Sequence, residues 1–197
     1  MKTKAIFVAM LLALAPLPSV AQDFDAGVAA YASGDYDIAL REWKPLAEQG
    51  YALAQSNVGV MYNRGQGVPQ NYTEAVRWYR AAAEQGFARA QDNLGWMYNN
   101  GWGVLEDYAE AARWFRAAAE QGYALAQNNL GLMYFKGHGV PQDYAKAHMW
   151  YNIGATNGDN IARARRESIV PLMTTADISE AQRRARVCME SDYQDCE

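Results

Sequence analysis

The stretch "AQDNLGWMYNNGWGVLEDYAEAARWFRAAAEQG", Ala90 to Gly122, decides the fold. Ala90, Leu94, Met97 and Tyr98 stand at i, i+4, i+7 and i+8, which is one apolar stripe on a helix running from Arg89 to Asn100. Gly95 lies beside that stripe, where a neighbouring helix can come close. Gly101 supplies the stop, because a positive φ costs glycine nothing. Trp102 to Glu106 reads as a loop. Asp107 then takes the N-cap position, with Glu110 placed to complete a capping box. Asn71 and Glu74 repeat that pair, and Asp35 and Asp143 hold the same position elsewhere. Each cap contributes about 1 kcal/mol. The second helix, Tyr108 to Gln121, is apolar over too wide an arc for a one-sided surface helix. Its alanines, with Trp114 and Phe115, call for packing against both its partner and the next repeat.

Working outward, the same text recurs. "VGVMYNRGQGVPQNY" spans Val58 to Tyr72, and "LGLMYFKGHGVPQDY" spans Leu130 to Tyr144. Tyr36, Tyr72, Tyr108 and Tyr144 stand 36 residues apart, as do Gly50, Gly86, Gly122 and Gly158. The phrase "AEQG" returns at Ala47, Ala83 and Ala119. A period of this length marks stacked units, each too small to bury its own apolar face. The expected fold is all-α, an α-solenoid of helical hairpins over residues 22–197. Repeats are expected at about 36–71, 72–107 and 108–143, with a partial one at 144–179 and a capping helix at about 176–191.

The ends depart from the pattern. "AAYASGDYDIALREW", Ala29 to Trp43, lacks the loop with two glycines, and its Trp43 aligns with Tyr79 rather than Trp78. Pro45 falls in a helix interior and predicts a kink or an early stop. After Gly158 the chain reads as a basic helix broken at Pro171, then a last amphipathic helix that closes the stack.

The pattern carried by Ala90 to Gly122 resembles the Sel1-like repeat, a relative of the tetratricopeptide repeat with a longer loop between its helices. Full or near-full copies cover Ala54 to Gly158. The resemblance implies an α-solenoid that binds proteins or peptides and is not an enzyme. Bacterial relatives are implicated in envelope signalling, surface polysaccharide control and host interaction. Some cysteine-rich relatives are linked to β-lactam binding, but those carry a disulfide in each repeat and this chain has none there.

Comparison of the copies separates stacking positions from free ones. At about 100° per residue, Trp96 points away from the constant stripe, and Arg89, Asp92 and Asn100 lie near it. The equivalent slots hold Leu53, Ser56, Val60 and Arg64 in the preceding copy, and Leu125, Asn128, Leu132 and Lys136 in the following one. Faces of successive first helices line one continuous surface in a solenoid. Val60, Arg64, Arg89, Asp92, Trp96, Leu132 and Lys136 are therefore the candidate protein-binding residues, joined by Trp102 from the loop. The competing structural reading covers Trp96 with an adjacent helix and folds Trp102 back on its own repeat.

Lys2 and Lys4, the apolar run Ala5 to Ala15 and the triplet Ser19-Val20-Ala21 make residues 1–21 a secretory signal peptide, too short to span a bilayer. Its removal takes the net charge from −4 to −6, since it carries two lysines and no acid. Such a chain has no electrostatic reason to bind nucleic acid or anionic lipid. A periplasmic or secreted address follows, with no stable membrane insertion after cleavage and a monomeric state. In an oxidising compartment Cys188 and Cys196 form a tail disulfide, with free thiols or an intermolecular link as the alternatives.

Chemistry is sparse. The Gly-x-Gly elements lie between helices rather than after a strand, so they are not phosphate loops. His138 and His148 are too far apart for a metal pair on one helical face. Neither a metal nor a cofactor is expected, and no catalytic residue is assigned. The function expected is an exported adaptor for an envelope protein or peptide. The alternatives are a cell-wall enzyme or enzyme cofactor, or a self-associating structural protein.

Overall fold

In a computed structural model that describes residues 23–196, the first helix of each repeat starts and stops on the same signals. These helices are α3 (Ala52–Arg64), α5 (Ala88–Asn100) and α7 (Ala124–Lys136). Each ends on a glycine with φ of 64° to 70°: Gly65, Gly101 and Gly137. The N–H of that glycine donates to the carbonyl of Met61, Met97 or Met133. The matching second helices are α4 (Tyr72–Ala83), α6 (Tyr108–Ala119) and α8 (Tyr144–Thr156). A shorter hairpin, α1 (Phe24–Ser33) and α2 (Tyr36–Glu48), precedes them, and α9 (Asn160–Ile169) and α10 (Thr175–Glu190) follow. No strand occurs among the described residues, and the fold is an all-α solenoid. The signal segment lies outside the described residues. Among those described, no helix is long and apolar enough to cross a membrane.

Two expectations about helix ends need correction. Asn71, Asp107 and Asp143 do cap their helices, each accepting a backbone N–H one turn on. The capping boxes, however, do not close. Glu74 and Glu110 instead take the guanidiniums of Arg77 (2.8 Å) and Arg113 (2.7 Å), a charge-assisted bond that outcompetes a backbone amide. Asp35 makes no side-chain cap and accepts from the Ser33 hydroxyl. Nor does α2 stop at Pro45. It runs on to Glu48, at the cost of one ladder hydrogen bond near its end.

Glycine facing an aromatic ring sets the distance within each hairpin. A Cβ on Gly59, Gly95 or Gly131 would come within 2.6–2.7 Å of the ring of Tyr79, Phe115 or Tyr151. Gly27 faces the Trp43 indole in the same way, so the alignment of Trp43 with Tyr79 reflects one shared contact. Packing is more extensive inside α3–α4, α5–α6 and α7–α8 than across the junctions between them.

The junctions are tied by a ladder of side-chain amides, buried on the first helices and exposed at the ends of the second. Gln85 donates to Gln55 (2.7 Å) and Gln121 to Gln91 (2.7 Å), while Asn157 takes the same place over Gln127 (2.9 Å). Gln55, Gln91 and Gln127 in turn donate to the carbonyls of Ala47, Ala83 and Ala119. This is the physical content of the recurring "AEQG" and "AQ" text. Every buried amide finds partners, as burial demands.

At the C-terminal end, Pro171 sits in a short 3-10 turn, Val170–Leu172, between α9 and α10. The capping box that does form is Thr174 with Asp177, at the start of α10. α10 packs on α8, and its last turn is joined to the tail through Cys188–Cys196, with Cα atoms 4.4 Å apart. Tyr193, inside that loop, accepts a hydrogen bond from Asn157 (2.8 Å) and rests against Gly122.

Candidate functional site

The first helices carry a groove of ≈ 530 Å³ along their shared face. Phe24, Val28 and Tyr31 of α1, with Trp43, form its wall at one end. Leu53, Asn57, Val60 and Arg64 come from α3, and Arg89, Asp92 and Asn93 from α5. Tyr123 and Leu125, at the start of α7, complete it. Val28 and Leu125 remain 45% and 47% exposed, so apolar surface is open to solvent here.

Four of the candidate residues therefore meet at one place: Val60, Arg64, Arg89 and Asp92. Arg64 is exposed and donates to the Tyr31 hydroxyl (3.3 Å), which itself donates to Gln66 (2.8 Å). Arg89 is half-buried and bridges back to α3, donating to Asn57 Oδ1 and Ser56 Oγ.

Asp92 is not the open surface residue that helical geometry suggested. It is 4% exposed and accepts from Asn129 Nδ2 of α7 at 2.8 Å. Burial pushes its carboxyl up to about 6, against the opposing effect of that hydrogen bond. The equivalent Ser56 and Asn128 are buried too. Neighbouring first helices are bonded through this register, from Arg89 to Ser56, Asn129 to Asp92 and Arg165 to Asn128. The register belongs to the stack as well as to the groove wall.

Trp96, Leu132 and Lys136 lie beyond the groove. Trp96 is 40% exposed, with its ring edge-on to Phe115 at 6.3 Å. It sits one helical turn past Asp92 on α5, so it continues the same face. Leu132 is half-buried and Lys136 exposed on α7.

Trp102 belongs elsewhere. It stacks on Tyr72 of the preceding repeat, with centroids 5.5 Å apart, as His138 stacks on Tyr108 at 4.4 Å. The free position between the two glycines thus covers the start of the preceding second helix. Gly103 and Gly139 press against the backbone there, at Tyr72 and Tyr108, where no side chain fits.

Sequence reasoning missed the α1 wall, because α1 carries none of the repeat text. Phe24, Val28 and Tyr31 are spaced as one helical face, and that spacing was the available signal.

Among the described residues, no three or more His, Cys, Asp or Glu gather where a metal could bind. His148 is buried on α8 with Nδ1 unpaired, and burial, then the charge of Arg166, lowers its pKa.

Stacked two-helix units around an open, partly apolar groove define a helical-repeat scaffold. Three consecutive segments, 52–87, 88–123 and 124–159, match the Sel1 repeat, and the chain belongs to that family. The family's unit begins at the first helix, half a period out of phase with boundaries set at the recurring tyrosines. Two solved structures are similar. One is a Sel1 repeat protein from Oxalobacter formigenes, with 37% identity, a TM-score of 0.70, and 75% of this chain covered against 60% of that one. The other is c5321, described as a protective antigen present in uropathogenic Escherichia coli strains and displaying an SLR fold. It shows 40% identity and a TM-score of 0.70, with 74% of this chain and 32% of that one covered. This chain therefore spans less than two thirds of either relative's length. No curated protein matched.

Proposed function

We propose that the chain is an exported, non-enzymatic adaptor that docks a protein or peptide along the shared face of α1, α3, α5 and α7. The observation that carries this reading is the groove itself. The repeat text keeps its constant residues for stacking, and on the face so freed Val28 and Leu125 line the groove with apolar surface left exposed, continued by Trp96. The tail disulfide and the signal-like leader support a periplasmic or secreted address. Membership of a scaffold family supports the interaction role.

The test is photocrosslinking in the native cell. A photoreactive residue replaces Val60 or Leu132, with a control at Glu84 at the end of α4. Discrete adducts from Val60 and Leu132 alone support the reading. Adding Trp96→Ser should weaken those adducts while changing stability by only about 1 kcal/mol, as for an exposed residue with one edge-on ring contact. Adducts of equal yield from Glu84 would refute docking on this face. Adducts that consist only of this chain crosslinked to itself would reassign the face to self-association.

A further inference from the structure

The charges inside the groove point to the class of guest, on the premise that this groove is the docking face. The protein is acidic overall, with a net charge of −4. Yet, among the described residues, the two cations at the groove, Arg64 and Arg89, form no ion pair: their bonds run to Tyr31, Ser56 and Asn57, all neutral. Elsewhere on the molecule, Arg77, Arg113 and Arg183 are paired with a glutamate of their own helix, while Arg80 and Arg165 bond to Tyr98 and Asn128. The one carboxyl on the groove wall, Asp92, is turned toward Asn129 and buried. It sits one helical turn from Arg89 without reaching ion-pair distance. Unpaired guanidiniums flanked by apolar side chains suit a carboxylate, which they can bind through two parallel N–H donors.

We propose that the groove holds an extended acidic peptide, with side-chain carboxylates facing Arg64 and Arg89 and a flanking apolar side chain against Leu53, Val28 and Leu125. The guest is an internal segment rather than a chain end. The face does not close beyond the groove but continues to Trp96 and Leu132, where a passing chain finds further apolar contact. The cavity of ≈ 530 Å³ is within the range that holds a few residues.

The test uses the processed chain and three fluorescent six-residue peptides blocked at both ends. Each alternates leucine with glutamate, glutamine or lysine, and binding is read by fluorescence anisotropy. The glutamate peptide should bind at least tenfold more tightly than the other two, and added salt should narrow the gap. Arg64→Glu should invert the order in favour of the lysine peptide. Arg64 is chosen because its single bond, to Tyr31, lies at the surface, so the thermal melt should be unchanged. Arg89→Gln should weaken glutamate binding as well, although it also loosens α5 from α3. Equal binding of the three peptides, or an order unmoved by Arg64→Glu, overturns the proposal. If no peptide binds while the Val60 crosslinks persist, the acidic class falls and the docking face stands. If the crosslinks are absent too, both fall.

Discussion

Replacing Asp92 with asparagine should stabilise the protein at neutral pH, against the usual outcome for a buried, hydrogen-bonded side chain. The carboxyl is 4% exposed and has a pKa raised from 3.8 to about 6. The folded state therefore holds its proton more tightly than the unfolded chain does. Stability from this group is complete below the unfolded pKa and is lost as pH rises through about 6. A raise of roughly two units, at about 1.4 kcal/mol each, puts the loss near 3 kcal/mol by neutral pH. Asparagine removes the titration and keeps the acceptor that Asn129 uses. The fold already accepts it, because Asn128 occupies the same register one repeat on, buried to the same 4%. Urea unfolding of both proteins should then show Asp92→Asn more stable by about 3 kcal/mol at pH 7.5, by about half that at pH 5, and by little at pH 4. At neutral pH the melting temperature should rise by about 6–12 °C. An advantage that does not shrink with acidification, or a variant less stable at pH 7.5, would refute the account of Asp92 as an ionised group held in a poorly solvated place.

Three further outcomes are expected. Gly95→Ala places a Cβ 2.7 Å from the Phe115 ring and should cost about 1–3 kcal/mol, measurable by denaturant unfolding; Gly86→Ala meets no neighbour and should cost only its unfavourable φ of 86°. Reducing Cys188–Cys196 opens a short loop on the last helix and should lower stability by about 2–3 kcal/mol, while mass spectrometry without reductant should show the loss of two hydrogens. Gln91→Leu removes one hydrogen bond each from Gln121 and the Ala83 carbonyl, which keep the Ala117 carbonyl and the Gly86 N–H, and should cost about 1 kcal/mol, whereas the exposed Gln70→Leu should cost less.

The fold was legible because stacking repeats itself in the text. Gly95 as a point of close helix approach, and Gly101 as a stop, could be read from one copy and checked against the others. The groove was only half legible, and the reason is geometric. A helical wheel for α5 places Asp92 away from its own hairpin, which is correct. It knows nothing of α7, whose Asn129 closes over the same carboxyl. Trp102 meets the same limit. Its neighbour is Tyr72, thirty residues earlier and in another repeat, and no local pattern records that pairing. The α1 wall was missed because Gly27 and Trp43 keep the shared contact without the shared wording. In each case the missing information is a contact between units rather than within one.

The same comparison locates where specificity enters. The slot at the start of each first helix holds Leu53, Arg89, Leu125 and Ile161, one residue per repeat. Three are aliphatic, and Leu125 and Ile161 are 47% and 56% exposed, so stacking does not require an apolar residue there. A leucine or isoleucine in this slot leaves its unit stacked, so the slot itself does not require a charge. Arg89 is thus a single departure from an otherwise aliphatic row, set on the groove wall that Arg64 also lines and half-buried against Asn57. Desolvating a guanidinium at a position where leucine serves the stack equally well is costly. On the proposed reading a guest carboxylate offsets that cost in the bound state, and the charge at residue 89 serves recognition as well as the bridge from α5 to α3.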